Sequence, residues 1–258
     1  MIGYLGVPGA LVELRYRGGL SVDSGRPVSF QRTLGGKRKA LLGPQSRREW
    51  SVSFDLIGSR MAGGLLAAAQ SEGPLMWYPA DAAAGNLLSP QGSGFESRSS
   101  TATDVGLVQL PDGSVARAVA PTGTVNVTSP QGDWEMVPVR PGRVTVGGWG
   151  FNGIRFTGAW RDAEGVTVGT FAPSSSGHSG WQWVERTITA PADAAFLSLS
   201  LSNGARYARP SVAWGTAGRD RPGRGCPKAV AHGLSEGLTV ISGDDAYGSV
   251  SATITEVG

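Results

Sequence analysis

PADAAAG, residues 79–85, is a small-residue segment bracketed by proline and glycine, and the chain changes character on either side of it. Pro and Gly punctuate sequences where one packed element gives way to another. Before this segment, and again after about Gly225, the residues read as one small β-rich domain built from both ends of the chain. Between them, from Asn86 to Trp214, lies a run of Gly- and Ser-separated strands long enough to fold by itself. Insertions at loop tips are tolerated when their ends lie close together. The expectation is a mostly β protein: a split β-sandwich or tube-like domain over residues 1–85 and 218–258, with one helix, carrying an inserted β-jelly-roll over residues 86–217.

Working back from the segment, Val12, Leu14 and Tyr16 alternate with Glu13, Arg15 and Arg17, as in a strand with one wet face. Trp50, Val52, Phe54 and Leu56 alternate with Ser51, Ser53 and Asp55 in the same way, and Pro27–Leu34 reads as a further strand. SRMAGGLLAAAQSEG then changes period. Ser59 is expected to cap a helix, with Met61, Leu65, Leu66 and Ala69 on its apolar face. At the far end of the chain Val250, Ala252 and Ile254 alternate with Ser249, Ser251, Thr253 and Thr255. This last strand has no local partner, so its simplest home is the sheet begun by Val12–Tyr16 or Trp50–Leu56.

In the middle, strands are predicted at 114–120, 123–128, 143–151, 153–160, 166–171, 181–189, 195–202 and 208–214. Short turns of Gly, Pro, Asp and Ser separate them. Regularly spaced short strands are the pattern of a sandwich or jelly roll.

Composition narrows the function classes. Gly is 40 of 258 residues, hydrophobics are 40% and there are eight Trp, which describes a folded, turn-rich chain. Residues 1–85 hold ten Arg and Lys against six Asp and Glu; residues 86–217 hold nine of each; residues 218–258 hold four against five. The basic excess centres on GGKRKALLGP, yet no aromatic interleaving accompanies it, so sequence-specific nucleic-acid recognition is not expected. The single cysteine, Cys226, excludes an internal disulfide and reads as a small buried apolar group. No window holds eighteen apolar residues, and MIGYLGVPGALVEL lacks the features of a signal peptide, so synthesis in a reducing cytoplasm without membrane insertion is expected.

Two resemblances add to this. NLLSPQGSGFE, VPVRPGRVTVGGWGFNG, WRDAEG, SGWQWVERTITAPADAAFLSLSL and YARPSVAW occur in the order found in jelly-roll carbohydrate-binding modules, which this half of the chain resembles. The flanking LVELRYRGG, KRKALLGPQSRREWSVSFDLIG and GSVSATITEVG look like minor tail or distal-tail proteins of actinobacterial siphophages. This second resemblance implies a virion component at the tail tip, arranged as a homo-oligomeric ring such as a hexamer, beside tail-tube and hub proteins. Physics agrees in part, because open sheet edges are a liability that head-to-tail pairing into rings resolves. Lys37, Arg38 and Lys39 are then the candidate assembly contacts.

The first resemblance implies host cell-wall glycan binding on an aromatic platform, since sugar C–H faces pack on exposed rings while hydroxyls seek polar partners. Trp160 shares strand parity with Ile154 and Phe156 and is expected in the core. Trp149 lies opposite Val144 and Val146 in parity, and Trp183 shares its side with Glu185, Thr187 and Thr189, so these two lead the ranking. Trp181 falls on the same polar parity, but the resemblance places the Trp of its GW pair inside. Gln182, Arg155 and Arg186 are candidate polar contacts. Modules of this family often hold calcium through a carboxylate in the final strand; RPSVAWG has Ala213 there, and Glu96 alone does not supply the oxygen shell, so no metal and no cofactor are expected.

No enzyme is expected. His178 and His232 accompany no nucleophile, metalloprotease or phosphate-cradling motif, and the acid pairs Asp162/Glu164 and Asp244/Asp245 fall in turns beside Gly, where solvated acids are ordinary. A tail-associated hydrolase is therefore the weakest of three readings. A stand-alone carbohydrate-binding or adhesin protein is the alternative to a tail protein displaying the module.

Overall fold

The computed structural model describes residues 1–7, 10–16, 21–23, 28–32, 38–42, 47–71, 73, 75–95, 101–127, 136–140, 142–175, 179–202, 206–215, 220–242 and 245–257. The protein is mostly β. In chain order the first strands are β1 (Ile2–Val7), β2 (Ala10–Arg15), β3 (Ser21–Asp23), β4 (Val28–Arg32), β5 (Arg38–Leu42) and β6 (Glu49–Gly58). Helix α1 (Ser59–Ala69), β7 (Leu75–Tyr78) and two short helices, α2 (Ala80–Ala83) and α3 (Pro90–Gly94), follow. Next come β8 (Ala102–Gln109), β9 (Val115–Pro121), β10 (Val125–Asn126), β11 (Val137–Pro138), β12 (Arg143–Phe151) and β13 (Ile154–Arg161). The chain continues through β14 (Thr167–Phe171), β15 (Ser174–Ser175), β16 (Trp181–Thr189), β17 (Phe196–Leu201) and β18 (Arg206–Trp214). It closes with the long β19 (Cys226–Ser242) and β20 (Asp245–Glu256).

Two compact units divide the chain. One comprises Met1, Val12–Leu75 and Lys228–Gly258; the other comprises Ile2–Leu11 and Met76–Pro227. The first unit is discontinuous, and its sheet runs β19-β20-β6-β3. Trp50, Val52 and Phe54 of β6 point inward and are buried, while Ser51, Ser53 and Asp55 are exposed. The antiparallel register sets Ile254 against Trp50, Ala252 against Val52 and Val250 against Phe54. Val250, Ala252 and Ile254 of the last strand thus each meet an apolar residue of β6 on the same face, and such cross-strand pairs are what stabilise a sheet.

The ends of β6 and β20 are latched by Arg48 and Glu256. The guanidinium donates from Nε to Oε2 at 2.9 Å and from Nη2 to Oε1 at 2.8 Å, the fork geometry that favours Arg. The Glu256 amide also donates to the Arg48 carbonyl at 2.8 Å. Helix α1 packs on β20 and β6 with Leu65 buried. Two details differ from the sequence expectation. Gly58 is the N-cap and makes no side-chain bond, so Ser59 is the first helical residue. Leu66 is 40% exposed, because consecutive helical residues point about 100° apart and Leu65 takes the inward position. β4 and β5 form a separate two-stranded ribbon in which Arg32 faces Arg38 and Gln31 faces Lys39.

The second unit is a β-sandwich. One sheet runs β16-β12-β18-β9-β8; the other runs β10-β17-β13-β14, with β11 pairing β17 and β15 pairing β13. Val119, Val144, Val146, Val184, Tyr207 and Val212 of the first sheet meet Ile154, Phe156, Trp160, Phe196, Leu197, Leu199 and Leu201 of the second in one core. Trp160 sits in that core beside Phe156, on the parity its neighbours dictate. Strand β8 was not visible in the sequence, where Asp104 and Gly106 interrupt the apolar pattern at what is a bulge against β9.

The segment 79–85 contains α2, and the unit boundaries fall outside the 85/86 and 217/218 junctions expected from sequence. β1 pairs with β7 inside the second unit, Tyr4 against Tyr78 and Gly6 against Met76. Residues 220–227 join it too. Arg224 and Gly225 donate their amides to the carbonyls of Asn86 and Leu88, and Gly223 donates to Ser93 Oγ at 2.7 Å. The approach is so close that a Cβ on Gly225 would run into the Leu87 carbonyl.

Asn86 is the junction of these elements. Its carboxamide is buried and uses all four of its hydrogen-bonding capacities. Nδ2 donates to the carbonyls of Pro210 at 3.0 Å and Arg221 at 2.9 Å. Oδ1 accepts from the amides of Leu88 and Val212, both at 3.1 Å. One side chain therefore joins its own segment, β18 and the 220s. Removing it strands two donors and two acceptors away from water, each costing roughly 1–3 kcal/mol.

Asn86→Ala is therefore expected to destabilise the second unit by about 4 kcal/mol or more in denaturant titration, at about 1 kcal/mol or more for each stranded group. Asn86→Asp should rescue little, because a carboxylate faces the Pro210 and Arg221 carbonyls. A loss under about 1 kcal/mol for Asn86→Ala would contradict the assignment. In the first unit, Glu256→Ala removes the carboxylate fork from the 9% exposed Arg48 and should cost on the order of 2 kcal/mol, read in the same titration; no measurable loss would show that the latch is idle.

Candidate functional site

β12 and β16 pair without a break over nine residues, from Arg143 opposite Thr189 to Phe151 opposite Trp181. Alternation sends Val144, Val146 and Val184 into the core. The same alternation sends Thr145, Gly147, Trp149 and Phe151, with Trp181, Trp183, Glu185 and Thr187, to the outer face of the five-stranded sheet. Trp149 faces Trp183 with ring centroids 6.1 Å apart at 66°, and Phe151 faces Trp181 at 5.6 Å and 68°. Both are edge-to-face pairs, the arrangement the ring quadrupoles favour.

Gly147 makes room for this. A Cβ there would sit 2.8 Å from Trp183 Cζ2, so the indole lies across the glycine. Trp183 Nε1 donates to Glu185 Oε2 at 3.2 Å. Further along, Thr145 Oγ1 donates to the Gly215 carbonyl and lies 2.9 Å from Thr187 Oγ1, which leaves Thr187 as donor between the two hydroxyls. At the other end the Arg206 guanidinium lies over the Phe151 ring, 5.5 Å from its centroid.

The floor of the face is a second apolar cluster of Leu110, Ala116, Ala118, Trp149 and Ala208, with Val105, Val108, Trp181 and Trp183 packed against it. Trp149 is thus on the outer face, as parity implies, but it is only 8% exposed. The exposed ring expected there is instead a wall, enclosed in one cluster with Leu110 of the β8–β9 turn, Ala116, Ala118 and Ala208, and its Nε1 donates to Asp220 Oδ2 at 2.9 Å. Trp181, which the resemblance placed inside, is half-buried on the outer face beside Phe151; no bulge interrupts β16 to turn it inward.

Asp220 belongs to a small charged group. Arg209 Nη1 donates to Asp220 Oδ1 at 3.2 Å and to Asp112 Oδ2 at 3.4 Å. The Ser114 hydroxyl and amide, then the nearby Arg209 charge, hold the Asp112 carboxyl below its ordinary value. Arg209 occupies a left-handed conformation, φ +44°, where the register between β12 and β18 shifts.

The remaining candidates lie elsewhere. Gln182 and Arg186 are exposed on β16 with the opposite parity to Trp183, and Arg186 Nη1 donates to the Glu185 carbonyl at 2.8 Å. Arg155 is on β13 of the other sheet, where its amide donates to the Tyr207 hydroxyl. Burial raises the pKa of that hydroxyl, which donates in turn to the Ser202 carbonyl at 2.8 Å. Arg38 and Lys39 are in β5; Lys37, Glu96, His178 and Asp244 lie outside the described residues. His232 Nε2 lies 2.9 Å from Thr255 Oγ1, and Asp162 accepts from the Val166 amide in a turn. Among the described residues no His, Cys, Asp or Glu cluster has the form of a metal site, and no helix is long and apolar enough to cross a membrane.

No protein-family model matches the chain, and no curated protein matches its sequence. Similar solved structures include the enzymatically active domain of tailspike protein 4 of bacteriophage CBA120, at 15% identity and TM-score 0.34 over 50% of this chain and 21% of that one. The chain therefore spans about a fifth of that structure's length. A carbohydrate-binding module of Cellvibrio mixtus lichenase 5A, solved with cellotriose, is similar at 15% identity and TM-score 0.28, over 47% of this chain and 94% of that one. The CBM22-1 xylan-binding domain of Paenibacillus barcinonensis Xyn10C is similar at 9% identity and TM-score 0.23, over 81% and 91%. At these scores the neighbours, a phage tailspike and carbohydrate-binding modules among them, describe a partial overlap of β layers and nothing finer.

A methyl group at position 147 tests the face directly. Gly147→Ala should tilt the Trp183 indole off the sheet, abolish the exciton signal of the Trp149–Trp183 pair in circular dichroism, and cost about 1 kcal/mol. An unchanged signal would mean that Trp183 does not lie where described.

Proposed function

We propose that this protein is a structural component of a phage tail tip whose second unit binds glycans of the host surface on the outer face of its five-stranded sheet. The observation that carries the glycan reading is the row of half-buried rings, Trp181, Trp183 and Phe151, on one face with Glu185 and Thr187. Rings of this kind offer stacking surfaces to sugar C–H faces, and the adjoining carboxylate and hydroxyl offer partners to sugar hydroxyls. Same-face neighbours on a strand stand about 7 Å apart, so Trp181 and Trp183 present two successive stacking positions. Trp149 walls this platform on the β12 side, edge to face with Trp183. Gln182, Arg186 and Arg155 play no part in it, since they project elsewhere.

The tail role rests on the sequence resemblance of the flanking segments. In this reading the discontinuous unit is the assembly domain, closing a homo-oligomeric ring beside tail-tube and hub proteins, and the basic ribbon that includes Arg38 and Lys39, with Lys37 beside it, meets an acidic neighbour. The short β3 at the end of its sheet pairs only with Glu49–Ser51, which leaves the rest of β6 as an edge among the described residues. Open edges of this kind invite pairing with another chain.

Binding to glycan arrays and to sacculi of the host should fall about tenfold in Trp183→Ala and in Trp181→Ala, a loss of about 1.4 kcal/mol each. Unchanged binding of both variants would remove this face as the site. Light scattering of the purified chain, alone and with tail-tube protein, should reveal a ring; a persistent monomer absent from virions would end the tail reading.

A further inference from the structure

Arg209 is a non-glycine residue held left-handed inside a β-strand, a conformation that L side chains avoid and that marks a position fixed by its surroundings. The register explains it. Ser211 faces Gly147 and Ala208 faces Trp149, so two residues of β18, Arg209 and Pro210, stand opposite the single Gly148. This bulge re-aims the Arg209 side chain, as bulges do beside functional sites. Its guanidinium reaches both Asp220, which holds the Trp149 indole, and Asp112 in the turn that supplies Leu110. From the inner side, Asn86 binds the carbonyls of the neighbouring residues, Pro210 and Arg221.

We infer that Arg209 is a positioning residue for the aromatic face: it holds Asp220 and Asp112 closed over the sheet, so that the indole of Trp149 stands fixed as the wall against which Trp183 packs. The inference rests on the glycan reading above for its binding consequence, but the order it imposes on Trp149 is a property of the protein alone. A purely structural role would make Arg209 matter for stability. Here the opposite is expected, because glycine adopts φ +44° freely and relieves the strain that arginine bears.

The experiment uses the full chain, with Arg209→Gly, Arg209→Asn and Arg209→Lys. Asparagine tolerates the left-handed region, and lysine keeps a cation within reach of Asp220. The first readout is the indole N–H resonance of Trp149, assigned by its loss in Trp149→Phe. In Arg209→Gly and Arg209→Asn it should move and broaden while the Trp160 indole resonance stays in place and thermal stability is kept. Arg209→Lys should restore the resonance towards its original position. The second readout is binding to host sacculi, expected to weaken about tenfold in the Gly and Asn variants and to recover in part with Lys. A Trp149 resonance unmoved in Arg209→Gly overturns the inference, as does wholesale unfolding of both the Gly and Asn variants. If the original protein binds no sacculi, the glycan reading falls, and the resonance alone decides the positioning role.

Discussion

The second unit depends on a buried carboxamide. Asn86 lies far in sequence from Pro210, Val212 and Arg221, yet it binds all three, and no other residue type offers two donors and two acceptors in so small a volume. The bond to Val212 fixes where the segment entering the sandwich meets β18. The bonds to Pro210 and Arg221 fix a bulge and a loop whose next residues, Arg209 and Asp220, meet on the outer side. An interaction inside the fold thus determines what the surface presents.

That surface is the product of two simple constraints. Strand alternation places Trp149, Trp181, Trp183 and Phe151 on one face, and the absence of a side chain at Gly147 lets Trp183 lie down on it. Leu110, Asp220 and Arg209 then decide which rings remain open. Trp149 is enclosed and becomes wall, while Trp181 and Trp183 stay half-buried at the edge strand. In the first unit a comparable economy operates: apolar-on-apolar register between β6 and β20 does most of the work, and the Arg48–Glu256 fork closes the ends.

Much of this was legible in the sequence because period two is a local property. The bounds of β12 and β16 follow from alternation alone, and so does the side on which each tryptophan lies. What alternation does not carry is cover. Parity places Trp149 on the outer face, but its burial involves Leu110 and Asp220, 39 and 71 positions away in the chain. The strand at Ala102–Gln109 was hidden by its bulge, and α2 and α3 are too short to show a helical period. Arg209 gave no signal at all, since its conformation arises from a register mismatch that only the assembled sheet possesses. Gln182, Arg155 and Arg186 carry suitable chemistry close to tryptophans in sequence, and the fold separates them from the ring face.

The Asn86 latch belongs to the cooperative core of the second unit and does not open on its own. Amide hydrogen exchange of the unaltered protein measures this most directly, through the Leu88 and Val212 amides that donate to Asn86 Oδ1. Both are expected to exchange as slowly as the Val146 amide of the interior strand β12, by opening of the whole unit. Exchange of Leu88 and Val212 many times faster than Val146 would show that the latch opens locally, and that the outer face is held by something else.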